Sequence, residues 1–542
     1  MNSSTSDFLA SFASSNEASF WPLAACAAAV GATVAYSMRH YSSKTDPLKS
    51  WPTVPGAWPL LGHFPYIQSL DNMCAQLEKW ADQYGSESGC YEMIMPGGVR
   101  TLVVCQEEAA MEIMKQRPQK VYRPPELREA VNSIGATGVF AAEGSQWKDE
   151  RKLVSAALNH KQLHEHYLPN MKRFASRLIQ KWEKDVENSP NGILEGTRAD
   201  LGGLTADAVC KTVLDEEFDF LNHPERQVAR DVRAIMQGAT MRSLLPVWYW
   251  RIPFIGQYMD GLGWPIHRLT SIIQKTIQDH ESETQNNSNG GGTNTYLKKI
   301  MSMMHAEKKP LALDRVMGNA LTLFLAGTDT TEKALVQALY HLALYPNLQA
   351  RLREEVADFD WEKASIEDFY SELPKLKSFL HEIHRFYLFP LMFLQTNEDI
   401  VFKETTIPKD SQIFVHIRHC TIQKNKPSKD VPFGPNNSHP SIFDPERFLE
   451  KTGEGKTGEW TCPDPITTNA AFMMFGSGVK SCPGRKYSEL LSYCVLVSVL
   501  QTFQDISLAP NHPPVKDTWD TIAISPNRPL QLQFTPNDPD EI

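Results

Sequence analysis

The chain has 542 residues, 42% of them hydrophobic and 22% charged, with a formal net charge of −10. That balance excludes wholesale disorder, and the acidic total excludes a general nucleic-acid binder, which would carry an excess of Lys and Arg. Nine cysteines occur without a C-x-x-C pair or regular spacing, so neither a structural zinc site nor a thioredoxin-like motif is indicated.

Residues 1–19 are Ser-rich and read as a short tail on the non-cytoplasmic side. Residues 20–38, "FWPLAACAAAVGATVAYSM", carry no charge. At 1.5 Å per residue they span about 28 Å, just enough for a hydrocarbon core of about 30 Å. Arg39 is the first basic residue of the chain, which argues against a mitochondrial presequence or an ordinary secretory leader. The basic residues that follow place the body on the cytoplasmic side of this expected anchor. Residues 39–64, basic and then proline-rich, read as a linker whose "WPTVPGAWPLLGH" is a stiff connector. Residues 65–542 form the folded body.

From about residue 70 the pattern is mainly helical. "GSQWKDER" sets Trp147 and Arg151 four residues apart, on one helix face. Glu281–Tyr296, "ESETQNNSNGGGTNTY", reads as a surface loop. Asp314–Tyr345 is the clearest element, with an Asp start, apolar residues throughout and Pro346 as its stop. A helix that apolar is central rather than peripheral. Its middle holds "AGTDTT" (Ala326–Thr331), where a glycine, three threonines and an aspartate break the local helix preference, as functional positions do. "HEIHR" places Glu382 and Arg385 as neighbours on a helix starting near Pro374. Thr396–Pro445 is poor in helix signals, with short β-prone runs "DIVF" and "QIFVHI".

The stretch "FMMFGSGVKSCPGRKYSE" (Phe472–Glu489) then puts one thiol, Cys482, in a tight basic turn ahead of a helix. Free N–H groups and the dipole at a helix N-terminus favour a thiolate. Gly476, Gly478 and Gly484 allow the backbone to turn and approach something flat and bulky. That suits a soft thiolate ligand to iron. A cysteine nucleophile would need a histidine partner, and the sequence near Cys482 supplies none.

These residues resemble the haem-binding loop of the cytochrome P450 family: Phe475, Gly478, Lys480, Cys482 and Gly484 match F-x-x-G-x-(basic)-x-C-x-G. The Trp147/Arg151 pair, "AGTDTT", Glu382/Arg385 and Arg447 of "FDPERF" follow in the family's order, over roughly residues 50 to 535. The resemblance implies a mainly α fold with a small β region, a single large haem domain behind an N-terminal transmembrane helix. Cys482 is then the metal ligand, donating electron density to the iron. Phe475 packs beside the sulfur, Trp147 and Arg151 reach a haem propionate, and Lys480 offers a second contact. Ala326 and Gly327 lie over the distal face, and Thr330 with Asp329 holds a proton relay. Glu382, Arg385 and Arg447 form a buried ionic cluster. Lys480 stands where Arg or His is usual, and Gln395 and Thr396 follow Pro390 where the family commonly supplies another Arg.

The implied function is a monooxygenase inserting one atom of O2 into a lipophilic small molecule such as a sterol, fatty acid or terpenoid. The implied cofactor is haem b (iron-protoporphyrin IX). Electrons come from NADPH through NADPH-cytochrome P450 reductase, with cytochrome b5 as a second donor, at the endoplasmic reticulum membrane. An oxygen-independent haem-thiolate isomerase or dehydratase is the alternative, and a non-enzymatic haem-binding protein the third. The Asp329–Thr330 pair favours the oxygen-using reading. Lys480, Arg485 and Lys486 read as a basic patch for an acidic redox partner.

Overall fold

The computed structural model describes residues 51–537 apart from 60, 68–69, 225, 245–251, 253–257, 287–294, 307–312, 388–390, 423–437, 453–458, 466–471 and 520–522. The expected anchor at 20–38 lies outside the described residues. None of the described helices is long and apolar enough to cross a membrane.

The larger sheet has five strands: β1 (Cys90–Met95), β2 (Val99–Val104), β3 (Val121–Tyr122), β4 (Met392–Thr396) and β5 (Gln412–Val415). Their spatial order is β1-β2-β5-β4-β3. Gly97 and Gly98, both at positive φ, close the β1–β2 hairpin in the register Cys90↔Val104 to Met95↔Val99. β2 and β5 run parallel, the other pairs antiparallel. The β-prone runs expected between Thr396 and Pro445 are found: "QIFV" is β5, and Ile400–Phe402 pairs with Thr405–Ile407. The connector expected at Trp51–His63 is laid along β1. Glu92 donates to the Pro52 carbonyl at 2.8 Å, Val54 to that of Glu92 at 2.9 Å, and His63 to that of Ile94 at 2.7 Å. Trp51, Val54 and His63 are buried by it.

Six helices position the site: α1 (Gly144–Ala157), α2 (Leu168–Asn188), α3 (Thr197–Leu214), α4 (Leu313–Leu344), α5 (Pro374–Tyr387) and α6 (Arg485–Thr502). α4 has 32 residues, hence about 48 Å of length, and forms where the apolar run between Asp314 and Pro346 predicts it. Pro346 opens the next helix as its first residue, a position where its missing N–H costs nothing. α6 is buried all round from Tyr487 to Leu500, and α3 nearly so after Asp200, as helices inside a core must be, whereas α2 buries one stripe: Met171, Phe174, Leu178, Trp182 and Val186. α3 packs against α4 closely enough that a Cβ at Gly327 would meet Val209 at 3.0 Å.

Glu382 of α5 lies at the centre of the expected ionic cluster, fully buried. Arg385 donates to its two oxygens at 2.6 and 2.7 Å, Arg447 at 3.2 Å, and the Asp444 N–H at 2.9 Å. The remaining guanidinium donors reach carbonyls: Arg385 those of Thr421 and Ile442, Arg447 those of Ser438, His439 and Ile442. This fastens the loop before the Cys482 segment to α5.

Candidate active site around Cys482

The Cys482 loop is shaped by its own backbone. Gly476 and Gly478 sit at φ +73° and +58°, which an L side chain rarely adopts, and the Cys482 N–H donates to the Phe475 carbonyl at 2.6 Å. α6 starts three residues later with Gly484 as its N-cap. Cys482 is the one exposed cysteine among the described residues; Cys90, Cys105, Cys210, Cys420, Cys462 and Cys494 are buried. The thiol nevertheless lies deep in the chain, as a group lining an interior cleft does. Burial pushes it up, while the N–H groups of Gly484 and Arg485 and the guanidinium groups of Arg151 and Arg485 pull it down. Burial outweighs them and leaves the thiol above its ordinary range, so a bound soft metal would have to supply the charge that holds the thiolate.

Phe475 packs beneath, buried, with the Arg485 guanidinium 5.6 Å from its ring centroid and the buried His384 ring edge-on at 4.9 Å. Burial and Arg485 hold His384 down at about 3, so it is neutral. α4 is buried along most of its length; in its middle Asp329 and Glu332 are partly exposed, and so are Leu323, Ala326, Gly327 and Thr330. The last four positions, spaced by three and four, are one helix face. A hydrogen bond of 3.0 Å between the Thr331 and Ser488 hydroxyls pins α4 to α6 beside both features. Thr330 Oγ1 donates to the Ala326 carbonyl at 2.9 Å, and Asp329 pairs with Lys333 at 3.0 Å. Gly327 has a second reason to lack a side chain: the α3 contact at Val209.

Arg151 of α1 donates to the Ser481 carbonyl, and the Lys480 ammonium lies 4.3 Å from the Trp147 ring centroid. Lys480 also bonds to Glu143, a buried carboxylate that meets Arg123 at 3.4 Å and Arg117 at 3.9 Å. Burial, with Arg123 and Arg117 adding repulsion, holds Lys480 down at about 8. Burial first, then Arg123, lowers Arg117 to about 9. Three cations against one carboxylate leave two positive charges in surplus. Arg117 Nε and Nη2 are buried without a hydrogen-bond partner among the described residues. Such a cluster demands an anion with oxygen acceptors.

These features fit haem: an accessible, deep thiol at a helix start for the iron, and two surplus charges for two propionates. Trp147, Arg151, Lys480, Arg117 and Arg123 are the residues that would hold the carboxylates. The sequence reading missed Arg117, Arg123 and Glu143. A signal was present, since Lys115, Arg117, Lys120 and Arg123 occur in nine residues without an acid. The basic patch expected at Lys480, Arg485 and Lys486 is not there as such. Lys480 is buried on Glu143, and Arg485 is engaged by Asp464 at 2.9 Å and Glu489 at 2.7 Å; Lys486 alone of the three is exposed.

The family model described as Cytochrome P450 matches residues 52–534. Human 25-hydroxyvitamin D-1 alpha hydroxylase, mitochondrial, is 25% identical over 456 residues, covering 81% of this chain and 84% of that protein. Sterol 26-hydroxylase, mitochondrial, of Oryctolagus cuniculus is 27% identical, covering 74% and 72%. Cytochrome P450 2C26 of Mesocricetus auratus is 23% identical, covering 86% and 90%. A crystal structure of a cytochrome P450 superposes with a TM-score of 0.70 at 20% identity, covering 91% of this chain and 100% of its own, which shows the fold.

Proposed function

The chain belongs to the cytochrome P450 family, and on that premise we propose that it is a membrane-anchored monooxygenase acting on a lipophilic small molecule. The carrying observation is the accessible, deep Cys482 thiol held at the start of α6, the helix that the Thr331–Ser488 hydrogen bond ties to the middle of α4. When bound through that thiolate, haem b supplies the reduction of O2 and the transfer of one oxygen atom. Electrons from NADPH arrive through a reductase.

The residues do the rest. Arg151, Arg117, Arg123 and Lys480 bind and orient the carboxylate edge. Ala326 and Gly327 keep bulk away from the distal face. Thr330 spends its hydroxyl proton on the Ala326 carbonyl, leaving its lone pairs to hold a water, and Asp329 one residue away joins it in holding the water relay that passes protons in from solvent. Met392 of β4, packed against the main core beside Arg117, offers the substrate side an apolar group, while Leu391 and Phe393 turn the other way toward Phe414; an apolar lining is consistent with the hydroxylases among the relatives.

With a reductase, a substrate chosen by its shift of the haem absorption, and labelled O2, the wild type should place one labelled atom in the product. Thr330→Ala and Asp329→Asn should consume reductant at a similar rate while product falls about 100-fold and peroxide rises, the usual scale for a lost acid–base group. Turnover without label would instead indicate the isomerase or dehydratase.

Placement at the endoplasmic reticulum, through residues 20–38, rests on the absence of basic residues ahead of Arg39, although two of the relatives are named as mitochondrial. Deleting residues 1–45 should release much of the protein from membranes with its haem retained. A mature protein that begins after residue 38 would contradict the anchor.

For electron entry, Lys486 is the exposed charge nearest Cys482 in sequence. Lys486→Glu should leave haem content intact and slow reduction by the reductase several-fold at low salt. The difference should shrink as salt screens the surface, because rim charges act on association. Equal reduction rates at low ionic strength would place the docking face elsewhere.

A further inference from the structure

Glu143 opens α1 as its N-cap, yet its side chain makes no capping bond to that helix. Both oxygens go to cations instead. Oε1 accepts from the Arg123 backbone N–H at 3.0 Å and from Arg123 Nη1 at 3.4 Å, and Arg117 Nη2 lies 3.9 Å from it. Oε2 accepts from Lys480 Nζ. The cations come from three segments: Arg117 two residues beyond the helix Glu107–Lys115, Arg123 next to β3, and Lys480 in the Cys482 loop. The side chains of Glu143, Arg117 and Lys480 are almost wholly buried, so water screens their charges poorly. Arg117 is the least satisfied. Its Nη1 reaches only the Met392 sulfur, a weak acceptor, at 3.4 Å, and Nε and Nη2 have no hydrogen bond among the described residues. Arg151 belongs to a separate balance, donating to the Ser481 carbonyl and facing the Cys482 thiol.

We propose that Glu143 is the positioning residue of the carboxylate edge and a third, built-in carboxylate there: it gathers Arg117, Arg123 and Lys480 and trims their charge to match two propionates. The inference rests on the haem-thiolate reading. Three cations against Glu143 and two propionates leave no net charge. Without Glu143 one buried positive charge remains, and it favours ferrous over ferric iron, since net charge and burial are levers on a haem's potential. Glu143 therefore holds that potential down.

Glu143→Gln, Glu143→Asp, Lys480→Met and the double variant Glu143→Gln/Lys480→Met test this in the full-length haem protein, by redox titration of the haem absorption without turnover. Glutamine keeps an oxygen for the Arg123 N–H and removes the charge. At a fixed applied potential, Glu143→Gln should raise the ferrous-to-ferric ratio on the order of tenfold, the scale of one charge about 10 Å away at an effective dielectric of about 20. Lys480→Met should lower the ratio by a similar factor. The double variant should return to the wild-type ratio, and Glu143→Asp, which keeps the charge, should stay near it. If Glu143→Gln keeps both the thiolate carbon-monoxide band and the wild-type ratio, the Glu143 role is wrong and the haem-thiolate reading stands. If the wild type takes up no haem, or shows no thiolate band, that reading itself fails. Should Glu143→Gln not accumulate with haem, the double variant decides. A wild-type ratio there supports charge matching, and a shifted ratio or loss of haem overturns it.

Discussion

Glu382→Gln is expected to leave little folded haem protein at physiological temperature. Glu382 bonds two buried guanidinium groups, Arg385 twice and Arg447 once. Burial lowers Arg447, and Glu382 is the group that most opposes it. Removing the charge takes from both cations the carboxylate they share, and breaking a buried ion pair costs about 3–5 kcal/mol. Set against a typical total stability of about 5–15 kcal/mol, that removes much of the margin. Arg385→Lys should fail nearly as badly, because a single ammonium cannot reproduce the two-bonded fork. As a control, Lys363→Ala breaks an exposed pair with Asp360 and should leave the melting curve unmoved. Thermal unfolding followed by circular dichroism, with haem content in parallel, reads all three. A Glu382→Gln protein that melts and binds haem like the wild type would show that the cluster does not hold the Cys482 side of the fold.

Local punctuation made much of the fold legible in advance. Asp314 and Pro346 bracket α4 to within a residue, and the Pro-Gly pair before Arg485 marks the start of α6. Trp147 and Arg151 could be placed because both sit on one short helix. What the sequence concealed is long-range. Glu143 meets Lys480 from 337 residues away, and nothing local to either announces the other. Charge by itself misled: Lys480 and Arg485 look like a surface patch in a string of letters, yet Lys480 is buried against Glu143 and Arg485 is held by Asp464 and Glu489. Lys333 was hidden for the opposite reason, since a lysine four residues after an aspartate reads as an ordinary solvated pair until its burial is known. The proline-rich connector is another such case, because the backbone bonds that lay it on β1 leave no periodicity to read.

The central claim is that Cys482 supplies the only protein ligand to the iron, as a thiolate. Nothing else in the described chain combines an accessible thiol, a helix start and two nearby guanidinium groups. Cys482→His should keep the fold, because the loop is held by Gly476, Gly478 and the bond from the residue 482 N–H to the Phe475 carbonyl rather than by the sulfur. It should lose the electron donation that a neutral imidazole cannot give, and product formation should fall to background. The direct measurement is the absorption spectrum of the reduced, carbon-monoxide-bound protein. The wild type should show the red-shifted band of thiolate-ligated haem, and Cys482→His should show the shorter-wavelength band of histidine-ligated haem. A thiolate band that survives in Cys482→His would contradict the account.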